Sequence, residues 1–232
     1  IVGFRDRKLA EGKAPATVNR YLSILLALLR RAEQEWGWLH TTPKVRLLPL
    51  NNARHRWLTK DEEDRLLQHC PPHLADLVVF LVETGARLGE AVYLTWDDVD
   101  LERQPRGLVK FMRTKNKKPR GVPLSDRAAA LLGELRQRKA GLKIRPGDEG
   151  RVFLYAPKGR GGRGRPSDQY KAFWRPYGAW SQAVRRAGLG DLRIHDLRHT
   201  FASRLVMRGV PIVTVSRLLG HGSLTMTMRY AH

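Results

Sequence analysis

The most constraining feature of the sequence is the stretch over residues 194–232, which reads IHDLRHTFASRLVMRGVPIVTVSRLLGHGSLTMTMRYAH. Residues three and four apart share one face of a helix, so His195, Arg198 and His199 are predicted to point the same way. A separate apolar stripe of this helix comprises Leu197, Phe201 and Leu205. Two imidazoles and a guanidinium opposite a buried stripe are typical of a site that binds an anion.

Two further signals follow in the same stretch. Gly220 is expected to end a helix in the left-handed conformation and so to present the imidazole of His221 at the start of the next segment. Ser223 is expected to cap a last short helix, which carries the phenol of Tyr230 nine residues after His221.

The net charge restricts the partner. The chain has 43 Lys and Arg residues against 22 Asp and Glu, which gives a formal net charge of +21. Such an excess repels itself in the free protein and attracts polyanions. Nucleic acid is the leading partner, because each neutralised phosphate releases a counterion. Charge alone leaves open a ribosomal-type or merely basic protein.

The cysteine count and the hydropathy of the sequence limit the expected cellular location of the protein. The single cysteine, Cys70, excludes an internal disulfide and cannot form a cysteine-based metal site alone. No apolar run approaches the ~18 residues of a membrane span, and no basic-then-apolar leader is present. We therefore expect no membrane contact and a cytoplasmic, nucleoid-associated protein. The first residue is Ile rather than Met, so the sequence is expected to begin inside a longer protein.

Apolar periodicity organises the first third of the chain. Residues 15–35 read as one amphipathic helix with Pro15 at its start. Residues 47–56 contain Pro and Asn without periodicity and are predicted to be a linker segment. Thr59 and Glu62 then form a capping-box pattern, and Gly85 is suited to end the helix that follows.

The segment TGARLGE places Arg87 and Glu90 three residues apart at the start of the next helix. They can share a face, but a pair of this kind is by itself typical of a surface ion pair. Ser125 is then expected to cap a helix through Arg138, and residues 168–187 are predicted to form another helix. The aromatic residues of that helix are expected to lie in the core.

Residues 108–124 read as a β-hairpin. Between Arg103 and Arg120 there are eight Lys or Arg residues and no acid, so we expect the hairpin to lie against phosphate. The run GRGGRG at 159–164 matches a dinucleotide-binding glycine pattern, but no strand–loop–helix unit surrounds it, and a phosphate-attracting loop is favoured. The candidate DNA-binding residues are Arg113, Lys117, Lys118, Arg120, Arg160 and Arg163.

The segments TGARLGE, HDLRHTFAS, LLGH and MRYAH together resemble, in this order, the motifs of the tyrosine recombinases, the phage integrase family. The resemblance covers about residues 15–232. It implies a mainly α fold with a small antiparallel β-sheet, in which two domains form a clamp around DNA. The implied domains are a partial helical core DNA-binding domain at 1–50, a linker at 51–56 and a catalytic domain at 57–232.

The resemblance also implies an active site. Its expected members are Arg87, Lys115, His195, Arg198, His221 and the nucleophile Tyr230. The family carries its catalytic lysine in such a hairpin, and Lys115 matches that position, with Lys117 and Lys118 as alternatives. Glu90 is expected to orient one of the histidines, and His199 is expected to be structural.

This set of residues suits the cleavage of a DNA phosphodiester. Two arginine forks can stabilise the charge of a five-coordinate transition state. A phenol, with a free pKa of about 10, needs nearby positive charge or a base to act as nucleophile. Lys115 can protonate the leaving 5′-oxygen. The product is a 3′-phosphotyrosyl link that keeps the bond energy, so no ATP is required.

No metal or cofactor is expected, since no carboxylate cluster suggests a two-metal site. A zinc triad of His195, His199 and His221 is disfavoured, because Arg198 between them would oppose a cation. The expected partner is double-stranded DNA, and the family's assembly of four protomers on two DNA sites implies self-association.

Two other functions are weighed against recombination. A type IB topoisomerase-like DNA relaxer would use the same nucleophile, and a non-catalytic DNA-binding protein could retain the same fold. The short N-terminal helical domain favours recombination over relaxation. The expected residue type at every catalytic position argues against a degenerate site.

Overall fold

The computed structural model of the protein describes residues 1–50, 56–112, 119–157 and 167–230. Contacts divide the chain into two compact units, Ile1–Arg54 and His55–His232. Within the described residues, we find no helix with the length and apolar character needed to cross a membrane.

The first unit contains α1 (Val2–Ala10) and α2 (Pro15–Gln34). The second helix agrees with the periodicity of the sequence, which gave no indication of the first. Asn19 on α2 fixes a later segment of the unit, since its side-chain amide donates to the carbonyl of Leu48 at 2.8 Å. Its Oδ1 accepts the backbone N–H of Leu48, also at 2.8 Å.

The second unit is mainly helical. Its helices are α3 (Lys60–His69), α4 (Pro72–Thr84), α5 (Leu88–Val92), α6 (Asp126–Lys139), α7 (Tyr177–Arg186), α8 (Asp196–Met207), α9 (Ile212–Leu219) and α10 (Thr225–Met228). The central helix is α4, which is buried along most of its length and packs against α6 and α8. The predicted caps are confirmed at Thr59, whose side chain accepts from the backbone of Glu62, and at Ser125, which accepts from Ala128.

Two small sheets complete this unit. Their strands are β1 (Val99–Asp100), β2 (Leu108–Phe111), β3 (Arg120–Pro123), β4 (Lys143–Ile144), β5 (Leu154–Tyr155) and β6 (Gln169–Ala172). The first sheet has the order β1-β2-β3 and is antiparallel, as the hairpin pattern predicted. The second has the order β4-β6-β5 and is mixed, because β4 runs parallel to β6 and β5 antiparallel to it. The described residues therefore form two sheets where one antiparallel sheet was predicted.

The single helix predicted over 168–187 is wrong in its first half. Residues Gln169–Ala172 form β6 and pair with strands on both sides. The helix starts only after Pro176, which lacks the backbone N–H that a helix interior requires. The prediction that its aromatic residues lie in the core is correct for Phe173 and Trp180, which are buried, whereas Trp174 is half-buried.

Gly85 ends α4 in the left-handed conformation, with φ 61°, as the sequence predicted. It also packs directly under the ring of Phe201 on α8, so that a Cβ at this position would overlap the ring carbons. Both the backbone conformation and the close approach of α8 therefore require glycine here.

We expect Gly85→Ala to lower the free energy of unfolding by about 2 to 4 kcal/mol, since it adds left-handed strain and displaces a buried ring. The matched control is Gly188→Ala, which has φ 70° and no atom within 4 Å of the added Cβ. It should lose about 1 kcal/mol from strain alone. Urea unfolding followed by tryptophan fluorescence measures both, and equal losses would show that contact with Phe201 has no cost.

Candidate active site

Arg198 lies on α8 and is only 3% exposed. Its Nη1 donates to the carbonyl of Gly85 at 2.7 Å, and its Nη2 donates to the carbonyl of Leu219. These carbonyls belong to the C-terminal ends of α4 and α9, where the helix dipole favours a cation. Burial is the main cause that lowers the pKa of Arg198 to about 9, and the positive charges of Arg87 and Arg120 add to the shift.

Glu90 on α5 is a buried carboxylate that joins two arginines. It accepts the backbone N–H and the Nη1 of Arg87, both at 2.8 Å. It also forms a two-pronged ion pair with Arg120, at 2.8 and 2.7 Å. Burial by itself raises the pKa of Glu90, but the bonds and charge of Arg120, with the contribution of Arg87, outweigh it and hold the pKa at about 2.

Arg120 occupies a different place from the DNA-facing one that the sequence analysis gave it. Its side chain is 6% exposed, and its guanidinium contacts Glu90, the carbonyl of Leu218 at 2.8 Å and the face of Phe111. The sequence does indicate the burial of Arg120. Arg120 and the buried Val122 are two residues apart on β3, and residues two apart on a strand lie on the same face. The role predicted for Glu90, to orient a histidine, is likewise replaced by contacts with these two arginines.

His221 follows the left-handed Gly220 that ends α9 with φ 63°, as predicted. Arg120 packs against this glycine closely, since a Cβ there would lie 2.9 Å from the arginine Cδ. The Nδ1 of His221 forms a 2.7 Å hydrogen bond with Oγ1 of Thr227, a fully buried residue of α10 that the sequence analysis did not single out. The predicted cap at Ser223 is not observed, because α10 begins after Leu224 without a side-chain cap.

Tyr230 is 5% exposed and lies directly after α10, its backbone N–H donating to Thr227 at 2.9 Å. Its hydroxyl is hydrogen-bonded to Nδ1 of His199. Burial raises the pKa of the phenol, against the opposing charges of Arg229 and Arg198. His199, predicted to be structural, therefore contacts the hydroxyl of the proposed nucleophile.

The three histidines share an electropositive surrounding. His195 is more exposed as a residue than His199 and His221, and its ring meets that of His199 edge-on, with 5.1 Å between centroids. Loss of solvation, followed by the charge of a neighbouring group, lowers the pKa of each: to about 4 for His199 and for His221, and in the same direction for His195. All three rings are therefore neutral near pH 7.

The structure brings together most of the predicted site. The positive charge of Arg198 acts to lower the pKa of each of four groups: His195, His199, His221 and Tyr230. The charge of Arg87 does the same for His195 and His221. The remaining predicted residues lie outside the described part of the chain: Arg113, Lys115, Lys117, Lys118, Arg160 and Arg163. Within the described ranges, no three His, Cys, Asp or Glu residues are grouped so as to hold a metal ion.

A mainly helical unit with two arginines, three neutral imidazoles and one phenol around a single centre is suited to bind an anion. The chain belongs to the phage integrase family, whose family model matches residues 56–232.

The chain is similar to several known members. It is 35% identical over 221 residues to the integrase of Salmonella phage P22, covering 94% of this chain and 54% of that protein. It is 30% identical over 244 residues to tyrosine recombinase XerC of Thermodesulfovibrio yellowstonii, covering 100% of this chain and 76% of that protein. The chain thus spans little more than half the length of the P22 integrase.

The fold is similar to solved structures of integrases. The catalytic domain of bacteriophage HP1 integrase matches with a TM-score of 0.52 and 33% identity, over 76% of this chain and 86% of that one. The Tn1549 transposon integrase, in complex with circular intermediate DNA, matches with a TM-score of 0.74 and 21% identity, over 98% and 78%.

We expect Glu90→Gln to lower the free energy of unfolding by about 3 kcal/mol at pH 6, because the shift of the pKa from 4.5 to about 2 measures the interaction that is lost. A carboxylate with a depressed pKa stabilises the fold above its unfolded pKa, and this stabilisation is lost as the pH falls from 4.5 towards 2. The difference between wild type and variant should therefore narrow below pH 4.5 in urea unfolding series.

Thr200→Val is the control, since it removes a buried hydroxyl that accepts the backbone N–H of Leu58 at 2.9 Å and carries no titrating group. Its difference from wild type should stay constant over the same pH range. A constant difference for Glu90→Gln as well would contradict a charged interaction at Glu90.

Proposed function

We propose that the chain cleaves and rejoins DNA strands at specific sites through a 3′-phosphotyrosyl intermediate, with Tyr230 as the nucleophile. The observation that carries the proposal is the phenol of Tyr230, buried beside Arg198 and hydrogen-bonded within a cluster of neutral histidines. Membership of the phage integrase family supports it. So does the net charge of +21, which favours a polyanionic substrate.

The scissile phosphate is bound by Arg87, Arg198 and His221. The side chain of Arg87 is 22% exposed, and its Nη1 donates to Glu90. The other N–H groups of the guanidinium therefore remain able to donate to a phosphate oxygen. Arg198 is already desolvated, which strengthens its attraction for the charge that develops on a five-coordinate phosphorus. When Thr227 donates to Nδ1 of His221, the ring proton lies on Nε2 and can be donated to the substrate.

In the cleavage step the oxygen of Tyr230 attacks phosphorus, and the bond from phosphorus to the deoxyribose 5′-oxygen breaks. The phenol releases its proton to solvent in this step, and the positive charges of Arg198 and Arg229 favour the phenolate. Lys115 donates a proton to the leaving 5′-oxygen, with Lys117 and Lys118 as alternatives. Attack by the 5′-hydroxyl of another strand then reverses the chemistry and exchanges strands, without ATP or another cofactor.

The larger assembly is part of the same proposal. Residues 1–50 form the end of a core DNA-binding domain and 57–232 the catalytic domain, and the two close around the duplex as a clamp. Four protomers act on two DNA sites, in the cytoplasm at the nucleoid where that substrate is located. The solved complex of the Tn1549 integrase with circular intermediate DNA supports DNA as the partner.

A covalent trapping experiment tests the chemistry. The protein is incubated in EDTA with a library of nicked duplexes randomised around the nick, so that the short cleaved strand diffuses away. Wild type should form protein–DNA adducts that survive SDS. Tyr230→Phe should reduce the adduct by more than about a thousandfold, because it removes the attacking oxygen. The matched control is Tyr177→Phe, which changes an exposed tyrosine on α7 and should form adducts like wild type.

Each contrary outcome has a definite meaning. An adduct that persists in Tyr230→Phe would assign the nucleophile to another residue, and loss of the adduct in EDTA would establish a need for metal. Retention of DNA without any adduct would identify a non-catalytic DNA-binding protein. Sequencing the captured strands gives the recognition site, and duplexes that are relaxed but never exchanged would identify a topoisomerase-like activity instead of a recombinase.

A further inference from the structure

The hydrogen bond between His199 and Tyr230 fixes the position of the phenol oxygen. Tyr230 is buried, and among the described residues its hydroxyl has one hydrogen-bond partner, Nδ1 of His199. The two rings lie 5.6 Å apart at a tilt of 48°, so they meet through this bond rather than by stacking. The backbone of His199 is held in the first turn of α8, next to the buried Arg198.

The direction of this hydrogen bond follows from the proton inventory of the two groups. A buried phenol requires an acceptor for its O–H. Nδ1 of His199 is the acceptor available to it, so the ring proton of the neutral imidazole must lie on Nε2. Tyr230 therefore donates and His199 accepts.

The charges around His199 keep it in this neutral, accepting form. Burial is the main cause that lowers its pKa to about 4, and His195, Arg229 and Arg198 lower it further, against the opposing charge of Asp196. A protonated ring would lose its acceptor at Nδ1 and would be repelled by the positive charges of Arg229 and Arg198. His199 is thus able to accept the phenolic O–H throughout the neutral pH range.

We infer that His199 is a positioning residue for the reaction, which holds the oxygen of Tyr230 at the anion site by accepting its hydrogen bond through Nδ1. This inference rests on the proposed function, because it assigns His199 a role in the cleavage step for which Tyr230 is the nucleophile. Positioning matters at this point, since a displacement of about 1 Å of a reacting group can cost a hundredfold in rate.

Two amide substitutions separate the position of the acceptor from the rest of the ring. The side-chain amide of Asn reaches the place of Nδ1, whereas that of the longer Gln reaches the place of Nε2. We expect His199→Asn to cleave within about threefold of wild type, and His199→Gln and His199→Ala to cleave about 10- to 100-fold more slowly. His69→Ala, at an exposed position on α3, is the control and should cleave like wild type.

The measurements are the single-turnover rate of adduct formation on a nicked duplex captured from the library and the Kd for the same duplex. A positioning role predicts slower cleavage with unchanged Kd. Equal rates for His199→Ala and wild type, or equal defects in the Asn and Gln variants, would overturn the inference. A parallel loss of affinity in the Ala and Gln variants would overturn it too, because it would indicate a DNA contact.

A second readout does not depend on DNA cleavage. Nitrogen NMR of the histidine rings should show His199 in the Nε2–H tautomer, with its Nδ1 resonance displaced in Tyr230→Phe, and His199→Asn assigns the signal. An unchanged Nδ1 resonance in Tyr230→Phe would overturn the hydrogen bond. If wild type forms no adduct, the proposed function fails, while the NMR result still decides whether His199 holds the phenol.

Discussion

The carboxylate of Glu90 is the interaction on which the arrangement of the site depends. It holds Arg87 at the start of α5 and Arg120 at the start of β3, and Arg120 in turn binds the carbonyl of Leu218 near the end of α9. One buried negative charge therefore connects three elements that are far apart in sequence. Its burial would be unfavourable if it were unpaired, and two guanidinium groups make it stable as an anion.

Arg198 follows the same principle with carbonyl groups in place of a carboxylate. A buried guanidinium needs acceptors, and the ends of α4 and α9 supply them because each helix stops at a left-handed glycine. The backbone dipoles stabilise the cation without neutralising it. The site therefore keeps a net positive charge in its interior, which a carboxylate partner for Arg198 would have removed.

The sequence predicted the parts of the site that depend on local rules and missed those that depend on tertiary contacts. Spacing located the polar residues of α8, and glycine preferences located both helix ends. The prediction that Arg120 faces DNA was wrong. A basic residue in a basic hairpin is expected to be exposed, whereas the ion pair that buries Arg120 is with Glu90, 30 residues away in the sequence. Thr227 and the contact of His199 with Tyr230 were missed for the same reason, since both depend on how α10 packs.

The lowered pKa values of the three histidines have a consequence for binding itself. They are neutral in the free protein because burial and the arginines disfavour a further positive charge. A phosphate group placed beside His195 and His221 would supply the missing negative charge and raise the pKa of these two rings again, whereas His199 keeps its Nδ1 as the acceptor for Tyr230. Binding of the proposed DNA substrate should therefore be accompanied by proton uptake, and by linkage the affinity should rise as the pH falls below neutral. Calorimetry in buffers of different ionisation enthalpy would count those protons, and a count of zero would exclude this coupling.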